Sequence, residues 1–189
     1  MNSIEGNSNG FEFIEVEKKY NSNKSLFCVV EMSDFSKQFK YNVTNSFFEI
    51  SPYKNFSDNS VVIEFVGAQN DKIYKEQLNA LEDLRKNEVE IVLKIKKKIY
   101  EYYQKYYAVY LQGVEGFATH TEISELFPKI QNGTELDDKI ALNYIMIYPP
   151  HNGKSKMNLR FWWKVDDKDI GVIIKDSEIV DIGTDLGML

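Results

Sequence analysis

The chain has 189 residues, with 29 acidic against 23 basic side chains and a formal net charge of −6. That balance argues against nonspecific binding to nucleic acid or to an anionic membrane, and no run reaches the roughly 18 apolar residues of a membrane-crossing helix. A hydrophobic content of 43% fits one globular domain with a core of its own, and a single cysteine, Cys28, excludes an internal disulfide.

Met1 to Gly10 is polar, rich in Asn, Ser and Gly, and without an apolar stretch. It reads as a flexible end, which leaves residues 11–189 as one domain and a reducing cytosol as the expected compartment. Phe11 to Val16 alternates and reads as a strand. Leu26 to Met32 is apolar and β-rich, with Cys28 inside it as a small buried hydrophobe. Ser36 to Val43, the apolar patch Phe47 to Ile50 and the dense run Val61 to Val66 continue the pattern. The first 70 residues therefore read as an antiparallel meander.

The stretch from Asp71 to Tyr107 has helical periodicity, and neither Pro nor Gly occurs from Lys72 to Leu111. Asp71 is the expected N-cap. The apolar stripe is read through Tyr74, Leu78, Leu81, Val89, Val92, Ile95, Ile99, Tyr102 and Tyr106. One straight helix of this extent would be about 55 Å long, longer than a compact domain of this size accommodates. A bend or break is expected near Asn87, where the stripe loses register. Tyr100, Tyr103 and Tyr107 form a second row beside the stripe. The row reads either as a wide packed face or as a tyrosine patch for a protein partner.

After the helix, Thr121 to Ile130 reads as a short helix capped by Thr121, and Thr134 to Asp138 as a helical turn or polar loop. Ile140 to Tyr148 is a strand stopped by Pro149-Pro150, with His151 to Lys156 as a loop. Asn158 to Val165 follows, with Leu159, Phe161 and Trp163 on one face. Asp166 to Asp169 reads as a tight polar turn. Gly171 to Ile174 then pairs with Glu178 to Ile182. The expected fold is α+β: an N-terminal antiparallel meander, a central long or broken helix, and a C-terminal antiparallel meander, the helix packed on the sheet.

Two pieces of this pattern resemble a family. One is Glu76-Gln77-Leu78-Asn79-Ala80-Leu81, followed by Ile99-Tyr100-Glu101-Tyr102-Tyr103. The other is Trp163, an acidic turn, Gly171-Val172-Ile173-Ile174-Lys175-Asp176, Ile179-Val180-Asp181-Ile182-Gly183 and Asp185. Over about residues 71–185 the chain resembles a bacterial family of uncharacterised cytosolic domains, whose members often look like immunity proteins of polymorphic toxin systems. The turn departs from that family: Asp166-Asp167-Lys168-Asp169-Ile170 stands where a Glu-His-Gly step is usual. The resemblance implies no catalytic residue.

Little of the chain matches known catalytic machinery. There is no GxGxxG fingerprint, GxxxxGK phosphate loop or Gly-x-Ser-x-Gly elbow. No cofactor and no metal are therefore expected. Asp166, Asp167 and Asp169 lack the Gly and distal Glu of a calcium loop, and a solvated turn is the plainer reading. The two histidines, His120 and His151, lie 31 residues apart without metal-ligand spacing. The lysines around Lys97 fan round a helix as a solvated face. The expected function is a non-catalytic, protein-binding cytosolic domain, with a toxin-neutralising role implied by the resemblance. Its acidic balance would suit a basic partner. Candidate contacts are Tyr103, Tyr107, Asp166, Asp167 and Asp169. The rivals are a hydrolase-like enzyme built around His120 or His151, and a module that self-associates through its tyrosines.

Overall fold

The structure, a computed structural model, describes residues 12–17, 24–31, 40–41, 60–67, 73–114, 116–126, 128–136, 139–163 and 168–184. The expected flexible end, Asp71, the Phe47 to Ile50 patch, and Asp166, Asp167 and Asp185 lie outside them; the N-cap of the first helix is Tyr74, not Asp71 as expected.

Four strands come first: β1 Glu12–Glu17, β2 Lys24–Glu31, β3 Lys40–Tyr41 and β4 Ser60–Phe65. Helices α1 Lys75–Lys86, α2 Glu88–Val114 and α3 His120–Leu126 follow, then a 3-10 turn, Gly133–Leu136. Strands β5 Ile140–Ile147, β6 Met157–Trp163, β7 Lys168–Lys175 and β8 Glu178–Gly183 complete the described elements. The α+β class expected from the sequence is the class observed.

The β-rich stretches before and after the helices are the two halves of one mixed sheet in the order β1-β2-β4-β5-β6-β7-β8; the first half is not a simple antiparallel meander, because β2 pairs directly with β4 and β3 lies off this path, parallel to β5. Within each half the pairing is antiparallel. At the junction Ile63, Glu64 and Phe65 run parallel to Ile145, Met146 and Ile147. A parallel neighbour needs a long crossover, because the chain must return to the strand's starting end. Residues between β4 and β5 supply it, and that is where the helices lie.

The alternation of β-branched and aromatic residues decides which face the helices cover. Ile63, Phe65, Ile145, Leu159, Phe161, Val172 and Ile174 are all buried in one cluster with Leu81, Leu84, Ile95 and Ile99. Each such side chain contributes about 1.5–3 kcal/mol by leaving water. The three residues of β6 expected on one face, Leu159, Phe161 and Trp163, are all buried there.

The helical segment breaks at Asn87, as its length demanded. There the backbone turns to φ −109°, ψ 18°, and the Asn87 N–H and Nδ2 both donate to the Asp83 carbonyl. Of the expected stripe, Leu81, Val92, Ile95 and Ile99 are buried in the core, and the departures lie at other positions. Leu84, Ile91 and Tyr103 are buried, whereas Tyr74 and Val89 are exposed. Four-residue steps from Ile91 through Ile95 and Ile99 to Tyr103 keep one line against the sheet, and Tyr102 and Tyr106 fall to its flank, half-buried.

The short helix α3 starts earlier than expected. Its cap is Thr119: the Glu122 carboxylate accepts from the Thr119 N–H at 2.8 Å, and the Thr119 hydroxyl accepts from the Glu122 N–H at 3.3 Å. That reciprocal pair is a full capping box. The Thr119 backbone N–H holds the Glu122 carboxyl below its ordinary pKa.

Candidate functional site

The sheet ends in two tight turns beside the first turns of α1. Asn152 and Gly153 both adopt positive φ, 54° and 73°, and His151 and Lys154 exchange backbone hydrogen bonds around them. This Asn-Gly step closes a two-residue hairpin turn where a loop was expected. Asp176 and Ser177, at φ 54° and 60°, close the β7–β8 hairpin in the same way. The tips lie side by side, joined by an ion pair of 2.7 Å from Lys154 Nζ to Asp176 Oδ2.

Helix α1 is held against this end of the sheet by one buried side chain. Gln77 has no exposed surface. Its Nε2 donates to the carbonyls of Val66 (3.1 Å) and Ile147 (2.7 Å), and its Oε1 accepts from the Tyr74 N–H at 3.2 Å. Those carbonyls lie at the C-terminal ends of the parallel pair β4 and β5. Nearby, Gly67 at φ +70° lets Pro149 approach so closely that an added Cβ would sit 2.8 Å from its Cγ.

Between α1 and the two tips lies a cleft of about 190 Å³. Helix α1 lines it with Glu76, Asn79, Ala80 and Asp83, and the tips line it with Gly153, Lys154, Ser155, Met157, Asp176 and Ser177. The helical spacing of Glu76, Asn79, Ala80 and Asp83 puts all four on one face. The cleft is smaller than the roughly 300–1,000 Å³ of small-molecule and cofactor pockets. Its lining carries three carboxylates against one ammonium, and that ammonium is already paired. The Ser155 hydroxyl is buried and has no hydrogen-bond partner among the described residues.

A second group of polar side chains sits on the sheet face away from the helices. A bulge in β5 sets it up: Leu142 opposes Phe161 and Tyr144 opposes Arg160, so Asn143 is the extra residue. Asn143 Nδ2 donates to Asp169 Oδ1 at 2.7 Å, and Arg160 Nη2 lies 3.0 Å from Asp169 Oδ2. Tyr144 lies alongside, and burial pushes its hydroxyl pKa up. Glu64 and Asn158 are also buried. Removing any member of the bonded trio would strand a charge or an amide in a half-buried place, so it reads as structural cement.

The candidate contacts are thereby separated. Tyr103 is a core residue with no exposed surface; its hydroxyl donates to the Pro128 carbonyl at 2.6 Å, and its ring lies 5.6 Å from that of Trp163. Burial raises its hydroxyl pKa far above the ordinary value. Expecting it on a contact surface is therefore corrected: packing against Trp163 consumes it. Tyr107 packs against Tyr103, with ring centres 5.6 Å apart and the planes tilted by 50°, and is half-buried. Asp169 lies within β7, not in a solvated turn, and is engaged with Asn143 and Arg160. Asp166 and Asp167 are not among the described residues. His120 opens α3 and His151 sits in the Asn152-Gly153 turn, both exposed. Neither belongs to the cleft lining or to the Arg160 cluster. Ser155 and Arg160 were not singled out from the sequence, and Gln77 was named only within the family motif, although an isolated Gln on the buried face of an amphipathic helix is a signal that could have found its role.

The geometry defines an α+β domain: a mixed sheet with helices on one face, an acidic cleft at one end and a half-buried ion pair on the other face. Residues 22–189 match the model of the family described as a domain of unknown function, DUF6985, and the chain belongs to that family. No curated protein and no solved structure matches it. Among the described residues, no helix is long and apolar enough to cross a membrane, and no group of three or more His, Cys, Asp or Glu is placed to hold a metal ion.

Proposed function

We propose that this protein is a non-catalytic, protein-binding domain of the cytosol that neutralises a basic bacterial toxin by covering it. The observation that carries the reading is the acidic end of the molecule, where Glu76, Asp83 and Asp176 face a single ammonium, that of Lys154. It supports the reading together with the excess of 29 acidic over 23 basic side chains. Complementary fields speed the encounter of oppositely charged proteins and discriminate against acidic ones. The contact surface in this reading is the α1 rim and the hairpin tips, in place of Tyr103 and Asp169, which the fold consumes. The resemblance of the helical and C-terminal motifs to immunity proteins supplies the toxin as the kind of partner.

The test is capture from native lysate with the tagged full chain, at low and at about 0.5 M salt, followed by mass spectrometry. The expected result is one stoichiometric partner with a basic domain, encoded nearby and released by salt. A partner that is acidic, or a basic one held equally at both salts, would count against the charge argument. No partner at low salt would remove the reading.

A further inference from the structure

We propose that the cleft between α1 and the two hairpin tips receives one long basic side chain, an arginine by preference, from the partner protein. This rests on the protein-binding reading and names the chemistry at its centre. Three features of the cleft converge on that ligand. First, Lys154 and Asp176 already satisfy each other at 2.7 Å, which leaves the carboxylates of Glu76 and Asp83 without an ion-pair partner among the described residues. Second, Ser155 is 6% exposed, lines the cleft, and its hydroxyl oxygen has no partner among the described residues. A buried hydroxyl left unbonded costs free energy, and an incoming N–H group would relieve it. Third, Ala80 and Met157 supply apolar wall beside the carboxylates. A side chain with a methylene stem and a charged head matches such a mixture.

Size and donor count sharpen the choice. About 190 Å³ is too little for a cofactor of ordinary dimensions but ample for one side chain. A guanidinium offers five N–H donors in a plane, whereas an ammonium offers three on a point charge. Two carboxylates, the Asn79 amide oxygen and the Ser155 hydroxyl together form an acceptor set that only the guanidinium can fill from several directions.

The experiment titrates the full-length, 15N-labelled chain with N-acetyl-argininamide, and separately with its neutral isostere N-acetyl-citrullinamide. The expected result is saturable shifts of the Asn79, Gly153, Ser155 and Ser177 amides with the arginine compound, at a dissociation constant on the order of millimolar, and none with citrulline. The double variant Glu76→Gln/Asp83→Asn, at sites outside the core, should fold normally and bind at least about tenfold more weakly. Ser155→Ala should weaken binding about fivefold. Equal shifts with both compounds, shifts elsewhere, or an unaffected double variant would overturn the proposal. So would a captured protein partner that binds the double variant as tightly as the parent chain, while leaving the protein-binding reading intact. Argininamide binding in the cleft with no partner captured would do the reverse, upholding the cleft chemistry and removing the functional reading.

Discussion

Tyr103 is the fully buried tyrosine among the described residues. Its ring joins Trp163, Tyr107 and the α2 face, and its hydroxyl satisfies the Pro128 carbonyl in the segment that returns under the helix. Tyr103→Phe keeps the ring and strands that acceptor, so a loss of about 1–2 kcal/mol is expected in urea unfolding at pH 7. The same side chain sets an alkaline limit. Burial raises its pKa above the ordinary 10.0, so above that pH the unfolded chain releases a proton that the folded chain retains. The stability this group provides is complete below pH 10 and falls as pH rises beyond it, by up to about 1.4 kcal/mol per pH unit. Tyr144 shifts in the same direction, so Tyr103→Phe should flatten the alkaline slope without removing it. An unchanged slope would mean that Tyr103 ionises in the folded protein as freely as in the unfolded one.

At the scale of elements, two polar ties fix where the helices and strands meet. Gln77 ties α1 to the C-terminal ends of β4 and β5. Gln77→Leu fills the same space with no donor or acceptor and strands the Val66 carbonyl and the Tyr74 N–H, while the Ile147 carbonyl keeps its bond from the Val66 N–H; a loss of about 2 kcal/mol is expected. Because α1 forms one wall of the cleft, the amides of Gly153 and Ser155 should shift in the same variant even where it remains folded. The second tie is Asp169. Asp169→Ala leaves the Arg160 guanidinium, whose side chain is 19% exposed, without its carboxylate, and about 2–3 kcal/mol of stability should be lost. A solvated turn residue would lose almost nothing, so thermal unfolding of this variant separates the two placements of Asp169. The same elements show what was legible in sequence. The break near Asn87 followed from length together with the loss of stripe register there, and β6 followed from alternation. The bulge at Asn143 was hidden because Ile140, Leu142, Ile145 and Ile147 keep an apolar face only if one residue is extra. The Asn152-Gly153 turn was legible and was read as a loop because the preceding Pro149-Pro150 dominates the local signal. The stripe held through Val92, Ile95 and Ile99 and went astray at the tyrosines, because 102, 103, 106 and 107 offer two equally apolar lines and the four-residue steps from Ile91 carry Tyr103 into the core. The cleft was not legible at all, since it joins α1 to two turns far away in the chain.

For the whole molecule, the decisive feature is that one mixed sheet carries both β-rich halves and one helical layer covers it. Had the halves been separate meanders, each would have had its own edge and its own small core. The parallel pairing of Ile63, Glu64 and Phe65 with β5 instead ties the halves together, and the core residues of β4 share one cluster with those of α2, β5, β6 and β7. Non-local pairing of this kind cannot be lost from one half without exposing the apolar face of the other. The helices and the C-terminal sheet should therefore unfold together. Far-UV circular dichroism, dominated by α1 and α2, and fluorescence of Trp162 and Trp163 on β6 report on the two layers separately. Their urea midpoints should coincide, and the slope of free energy against urea should be that of a single cooperative unit. Loss of helical signal at a lower urea concentration than the tryptophan change would mean that the helical layer is a detachable cover and that the Tyr103–Trp163 contact is too weak to couple it. Coincident midpoints that move together in Gln77→Leu would show that a tie at one end of the sheet is felt by the entire fold.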